Sequence, residues 1–381
     1  MSENLDYFDE THRILRQTAA RFVEREITPH VEKWEDAGEI PRELHRKASE
    51  AGILGVAYPE AYGGGGGDMF HGIVISEEVL RCGAGGVHAS LMSHGIALPP
   101  ILYLGTEEQK QRFVPPVLKG ERIAALAVTE PDVGSDVANL RTRAVRDGDA
   151  YIVNGSKIMI TSGCRADQVT VAVRTGGPGH PGVSILVVDT KTPGFTVANK
   201  LKKMGWWSSD TAELVFEDVR VPAENLIGAE GQGFYGIMMN FQTERLGLAV
   251  MANMTAKMAY DESLKYAKQR ETFGKPISAH QVIRHKLVDM ATMVEISREF
   301  TYRVAARMAA GQDTLKEVSM AKIFATHICD KVCFEAVQIH GGYGFMREYP
   351  VERLYRDSRV LSIGGGSTEI MKEIISKIIL R

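Results

Sequence analysis

The sequence predicts an α+β protein in which a central β domain separates two helical domains. Three observations support this class: apolar residues at helical spacing in the first third, short β-rich runs between about residues 123 and 228, and long helical segments after them. A chain of 381 residues is long enough to form more than one hydrophobic core. We therefore expect domains at 1–124, 125–232 and 233–381.

The first domain reads as helices joined by short loops. A helix is expected from about Thr11 to Trp34, a second begins at Pro41, and Thr106 opens a third through a Thr-x-x-Gln capping box. The glycine run at 63–67 is a loop; no Gly-Lys-Ser or Gly-Lys-Thr follows it, which favours a connector over a phosphate site. The apolar face expected for the first helix consists of Ile14, Leu15, Ala19, Phe22 and Val23.

The central domain shows short runs of β-branched and aromatic residues between turn signals. Asp147-Gly148-Asp149 predicts a hairpin between two such runs, and Asn154-Gly155 predicts a further turn. Further strands are expected at 157–161, 169–173, 183–188 and 212–216.

The last domain begins with a helix expected from about Phe234 to Arg270. Ser278-x-x-Gln281 and Thr314-x-x-Glu317 predict capping boxes at the start of two more long helices. A glycine trio precedes a final amphipathic helix whose apolar stripe consists of Ile370, Met371, Ile374, Ile375, Ile378 and Ile379.

The composition and charge of the chain exclude several classes of function. A net charge of −3 without a basic block argues against nucleic acid or an anionic membrane as a partner. The N-terminus resembles no targeting peptide, so the cytoplasm is the default location. Cys329 and Cys333 lie one helical turn apart near His327, but their apolar neighbours favour core packing over a metal site, and we expect no metal.

Four segments read VTEPDVGSD at 128–136, ITSG at 160–163, QRETFGK at 269–275 and QIHGGYG at 338–344. In this order and spacing they together resemble the acyl-CoA dehydrogenase family from end to end. The resemblance implies an N-terminal helical domain, a central β domain and a C-terminal four-helix bundle that bind FAD and an acyl-CoA thioester.

The resemblance implies which residues contact the flavin ring. Hydroxyls and backbone amides at Val128, Thr129 and Thr161 are expected at its edges, where they hold the ring and tune its reduction. Met159 takes the place where many relatives stack a tryptophan. Ser135 lies where the family contacts the CoA moiety. Taken singly, each threonine also fits an ordinary strand and the serine fits a turn.

Other cofactor contacts implied by the resemblance cross between subunits. Arg270 and Phe273 are expected to reach the pyrophosphate and adenosine side of a neighbouring subunit's FAD, since guanidinium suits pyrophosphate. Gln338 and the Gly342 backbone belong to the same shared site. This predicts a dimer or a tetramer of paired dimers. Gln281 is read equally as a cofactor contact and as part of the capping box.

The sequence departs from the family pattern at the position of the catalytic base. Gly365 stands where most members carry the catalytic glutamate, and glycine takes no proton. A branch that includes isovaleryl-CoA and long-chain acyl-CoA dehydrogenases takes the base from the long helix, where Glu244 matches. Glu369 is the competing carboxylate; its place at the start of the final helix is also explained by the helix dipole. Ser367 and Glu369 complete the implied cofactor set.

The expected reaction is α,β-dehydrogenation to a trans-2-enoyl-CoA. Glu244 takes the α-proton, the Gly365 N–H and a ribityl hydroxyl polarise the thioester carbonyl, and electrons pass to an electron-transferring flavoprotein. The alternatives are a flavin oxidase or monooxygenase on the same scaffold, an acyl carrier protein as substrate handle, and a non-catalytic CoA-binding protein.

Substrate choice rests on the pocket around the reacting carbons. Gly364 replaces a bulky aromatic found in many straight-chain enzymes, and the space beside it suits a methyl branch near the β-carbon. A medium or long straight chain is the alternative, because tail length is set deeper in the pocket. The residues expected to bind the substrate are Leu91, Met92, His94, Gln242, Arg245 and Gly364, together with Ser135 at the CoA moiety.

Overall fold

The first domain in the computed structural model, which describes residues 7–380, consists of short helices around an apolar core. Asp9, Asp68 and Thr106 cap three of them through side-chain hydrogen bonds, and the Thr106–Gln109 box confirms the expectation. The helices are α1 (Glu10–Phe22), α2 (Val31–Ala37), α3 (Glu43–Glu50), α4 (Met69–Leu80), α5 (Gly85–Leu91), α6 (His94–Ala97), α7 (Pro99–Leu104), α8 (Glu107–Phe113) and α9 (Pro115–Leu118).

The single helix expected from Thr11 to Trp34 is wrong. A π-helical turn at Val23–Ile27 and a 3-10 turn at Thr28–His30 divide it, since the proline in that second turn lacks an N–H for a regular helical bond. Ile14, assigned to the buried face, is 57% exposed.

The central domain is one mixed sheet in the order β6-β7-β3-β2-β4-β5-β8, with β1 paired in parallel to β4. The hairpin at Gly148 is confirmed by the antiparallel pairing of Asp147 with Ala150. The strands are β1 (Ala124–Ala127), β2 (Arg143–Asp147), β3 (Ala150–Thr161), β4 (Gln168–Arg174), β5 (Val183–Asp189), β6 (Phe195–Lys200), β7 (Thr211–Pro222) and β8 (Leu226–Ile227).

The turn expected at Asn154-Gly155 is wrong, because β3 runs through it as a continuous strand. The register against β7 shifts between Val153 and Gly155, so the glycine sits at a bulge. Its φ is +147°, and a Cβ there would lie 2.6 Å from the Thr142 hydroxyl. Glycine is therefore needed for close approach within the sheet rather than for a chain reversal.

The last domain is built on three long helices and shares a large core with α4. The capping boxes are wrong: the N-cap residues are His280 for α11 and Thr314 for α12, and neither makes a side-chain capping bond. At the start of α12 the Leu315 N–H instead donates to Asp313 Oδ1 at 3.1 Å. The elements are α10 (Gly233–Gln269), β9 (Glu271–Thr272), β10 (Lys275–Pro276), α11 (Gln281–Ala309), α12 (Leu315–His340), α13 (Pro350–Ser358) and α14 (Thr368–Ile379).

Packing of α10 against α12, and of α12 against α14, sets the position of the loop before α14. The stripe expected on α14 is only partly buried: Met371 is enclosed, whereas Ile379 is 61% exposed. Between residues 7 and 380, no helix combines the length and apolarity that crossing a membrane requires.

Candidate functional site

The glycine loop, by which we mean Gly364, Gly365 and Gly366, approaches helix α10 at Glu244. A Cβ placed on Gly365 would lie 3.3 Å from Glu244 Oε1 and only 2.5 Å from Leu248 Cδ1. The φ of Gly365 is +62°, a conformation that residues with a Cβ rarely adopt. The missing side chain therefore allows the loop backbone and the carboxyl to come together.

The surroundings of the Glu244 carboxyl shift its protonation equilibrium. Its Oε2 atom is buried and has no hydrogen-bond partner among the described residues. Burial raises the pKa of Glu244 to about 7, against the opposing influence of the Lys322 and Arg245 charges. A carboxyl with a pKa near neutrality is suited to general-base work, and strongly shifted groups often mark functional sites.

Two buried cations hold the carbonyls of the glycine loop. Lys322 Nζ donates to the Gly364 carbonyl at 2.5 Å and also to the Gly366 carbonyl. Arg245 Nε donates to the Gly365 carbonyl at 3.4 Å. Burial lowers the pKa of Lys322 to about 8. The three loop carbonyls are thus all turned toward positive charge.

Sequence reasoning missed Lys322. A signal was present: on α12 it lies four residues after Val318 and three before Ala325, both fully buried, so a lysine occupies a core-facing position. A lysine is almost never fully buried unless it is paired. What it pairs with was not visible, because the loop follows some 42 residues later.

The segment expected to contact the flavin ring is held by a second buried lysine, which sequence reasoning also missed. Lys157 Nζ donates to the Val128 carbonyl at 3.0 Å and to Glu130 Oε1 at 2.8 Å. The Ile158 N–H donates to the Thr129 carbonyl at 2.9 Å. These bonds bring together the Val128–Glu130 segment and the end of β3.

The end of β3 presents an exposed edge. Met159 has a φ of +62° and is 66% exposed, and Ser162 has a φ of +59°. Thr161 lies between them and is partly exposed. An exposed thioether and hydroxyl beside a rigid backbone are compatible with a planar ring lying against them.

A separate open cavity of about 490 Å³ lies where α10 ends and α12 ends. Arg270 and Gly342 line it, and the Arg270 guanidinium lies 5.8 Å from the centre of the Tyr343 ring. Phe273 is 96% exposed, with a φ of +51°. The structure thus brings Arg270 and Gly342 together and leaves a large aromatic side chain nearby in solvent.

The remaining predicted site residues are not gathered into one place. Leu91 is fully buried in the first domain's core with Met92 packed against it, and His94 is buried with its Nε2 2.8 Å from the Leu54 carbonyl. Gln242 lies on α10 two residues before Glu244. Ser367 caps α14, and the residues on exposed surface are Ser135, Gln281, Gln338 and Glu369.

Two clusters resembling metal sites have other roles. His12, Asp68 and His71 bring ligand atoms within 4.8 Å of one another, yet each histidine belongs to a capping box at a helix start. Cys329 and Cys333 are fully buried in the last domain's core, whereas His327 faces solvent. Core packing accounts for the cysteines.

Comparison with known proteins covers nearly the whole chain. Family models of the acyl-CoA dehydrogenase N-terminal, middle and C-terminal domains match residues 9–121, 125–219 and 231–380. A long-chain specific acyl-CoA dehydrogenase of Sus scrofa is 40% identical, over 97% of this chain and 86% of that protein. The caffeyl-CoA reductase–Etf complex subunit CarC of Acetobacterium woodii is 38% identical, over 98% and 100%. A crystal structure of a probable acyl-CoA dehydrogenase from Mycobacterium abscessus is 55% identical, with a TM-score of 0.97 over 98% of this chain and 100% of that one.

Proposed function

Since this chain belongs to the acyl-CoA dehydrogenase family, we propose that it desaturates an acyl-CoA thioester between the α and β carbons with Glu244 as the base. The observation that carries the assignment is the Glu244 carboxyl itself. It faces the loop where the backbone has no side chain, and its buried Oε2 has no hydrogen-bond partner in the part of the chain that the structure describes. Gly365, in contrast, has no group that accepts a proton.

The chain contributes proton removal and charge stabilisation. Glu244 takes a proton from the α-carbon, and a hydrogen leaves the β-carbon together with its electron pair. The electron pair of the broken α C–H bond then forms the double bond between the two carbons. FAD, the cofactor of this family, supplies the two-electron acceptor when it is bound. The Gly365 N–H holds the thioester oxygen on which negative charge develops.

The residues present fit FAD in two regions. The Val128–Glu130 segment and the end of β3 offer a hydroxyl, backbone groups and an exposed thioether to a flat ring. Arg270 supplies a cation suited to pyrophosphate beside Gly342, where a Cβ would meet nothing within 4 Å. We assign Phe273 and Arg270 to a neighbouring subunit's cofactor, and hence infer a dimer or tetramer.

For the substrate, we propose a branched acyl chain or a medium or long straight chain. A Cβ on Gly364 would meet only the Val360 carbonyl, at 3.6 Å, so the residue before Gly365 leaves open space. The electron acceptor we propose is an electron-transferring flavoprotein, an inference supported by the name of the Acetobacterium relative.

Anaerobic bleaching of the flavin by a panel of straight and 3-methyl-branched acyl-CoAs tests this function. We expect bleaching by at least one acyl-CoA, and none by the same acyl group on acyl carrier protein. Turnover with an electron-transferring flavoprotein should exceed turnover with dioxygen. A yellow protein that no acyl-CoA bleaches would overturn the proposal, and faster turnover with dioxygen would favour an oxidase.

A further inference from the structure

We propose that Lys322 is a positioning residue of this site: its ammonium orients the glycine loop so that the Gly365 N–H points toward the substrate, and its charge favours the ionised form of Glu244. This inference rests on the proposed function for the substrate and the base. The orientation of the loop rests only on the contacts of Lys322 with Gly364 and Gly366.

The direction of the Gly365 N–H follows from the planarity of the peptide bond. The Gly364 carbonyl and the Gly365 N–H belong to one peptide unit, and no described peptide bond is cis. In a trans unit these two groups point in opposite directions. Because Lys322 Nζ draws the Gly364 carbonyl toward α12, the Gly365 N–H points away from α12.

That N–H is free to bind an oxygen. Within residues 7–380, the Gly365 N–H donates to no protein group, whereas the Gly364 N–H donates to the Val360 carbonyl at 2.8 Å. A buried or half-buried N–H without a partner is uncommon in folded proteins. A loop that is clamped by its carbonyls and leaves one amide unpaired has the arrangement of an oxyanion-binding site.

The second effect is electrostatic. Lys322 Nζ binds the carbonyls on either side of Gly365, and a Cβ on Gly365 would lie 3.3 Å from Glu244 Oε1, so the ammonium of α12 and the carboxyl approach the same residue of the loop. The other charged group that acts on Glu244 is Arg245, from α10 itself, and the glycine loop carries no titratable side chain. Both cations favour the ionised carboxylate, and burial opposes it. Arg245 Nε binds the Gly365 carbonyl at 3.4 Å, which leaves Lys322 as the more closely bonded cation of the loop.

Two substitutions separate the two effects. Lys322→Gln removes the charge but keeps an N–H donor for the loop carbonyls, whereas Lys322→Met removes both. Lys331→Met is the matched control, since Lys331 lies on the same helix and is exposed. Each FAD-loaded protein is tested for amide hydrogen exchange over residues 360–369 without acyl-CoA, and for flavin reduction from pH 5.5 to 9.5.

For Lys322→Gln we expect the rising limb of the plot of kcat/KM against pH to move to higher pH by about one unit. The reason is that loss of a nearby opposite charge raises the pKa of a carboxyl group. The limiting rate of flavin reduction by Lys322→Gln at high pH should stay within about threefold of wild type, since the rising part of the pH profile depends only on ionisation of the base. For Lys322→Met we expect the same shift, faster exchange over 360–369, and a limiting rate lower by at least about tenfold, as for a misplaced oxyanion donor. The loss should fall on kcat rather than on KM, and Lys331→Met should match wild type throughout.

The inference would be overturned if, in both Lys322 variants, the pH dependence of kcat/KM and the amide hydrogen exchange over residues 360–369 stayed at wild-type values. If Lys322→Met does not fold, the pH limb of Lys322→Gln decides. Failure of the proposed function is a separate result: wild-type flavin is then not bleached by any acyl-CoA, while hydrogen exchange still tests the clamp on the loop.

Discussion

Replacement of Glu244 by glutamine tests the proposed base with little change in shape. With a pKa of about 7, roughly 9% of the Glu244 carboxyls are ionised at pH 6 and roughly 91% at pH 8. The kcat/KM of the wild-type protein should therefore rise about tenfold between these two pH values. In Glu244→Gln the rate of flavin reduction should fall by at least about 100-fold, and this pH dependence should disappear.

Stopped-flow measurement of flavin bleaching under anaerobic conditions gives both quantities, and absorbance at the flavin band confirms that FAD is retained. The stability effect has a definite sign. The folded pKa of Glu244 lies above its ordinary value of 4.5, so ionisation destabilises the folded state as pH rises from about 4.5 to 7. Glu244→Gln should therefore unfold at no lower temperature than wild type at pH 8.

Glu373→Gln, which alters an exposed carboxylate on α14, is the matched control for charge removal and should keep the wild-type rate. A Glu244→Gln variant that keeps more than a tenth of the wild-type rate with an unchanged pH profile would refute the reasoning.

Four further changes test neighbouring features. Gly365→Ala should slow flavin reduction at least about tenfold, since a Cβ would lie 2.5 Å from Leu248 and a left-handed φ costs about 1–2 kcal/mol; wild-type kinetics in this variant would contradict the close approach. For the same reason the exchange Glu244→Gly with Gly365→Glu should stay inactive unless Leu248→Ala is added, as the bleaching assay will show. Arg270→Ala should release FAD on dilution, measured by gel filtration with flavin absorbance, and a monomer that retains FAD would exclude the shared site. Gly364→Tyr should lower kcat/KM for 3-methyl-branched acyl-CoAs about tenfold more than for straight chains of equal length, because it fills the space beside the β-carbon; equal losses would show that the branch does not lie there.

Local patterns predicted the order of the elements well. Helical spacing and short β-rich runs depend only on nearby residues, and they identified the long helix now seen at Gly233–Gln269 and the hairpin at Gly148. The same locality explains the errors. Asn154-Gly155 has the composition of a turn, but pairing with β7 keeps it in the sheet. The domain boundaries at 124/125 and 232/233 stay predictions.

The sequence by itself also singled out Glu244, because glycine at 365 removes the competing base and the resemblance supplies the alternative position. The roles assigned to Glu244 and to the other site residues stay predictions until the variants are measured. The way in which the site is held depends on tertiary packing, since Lys322 and the carbonyls of Gly364 and Gly366 lie 42 and 44 residues apart in the chain. A lysine on a core-facing helix position has no local partner that reveals its role. Only the packing of α12 against the loop places its charge on those carbonyls and beside the carboxyl of α10.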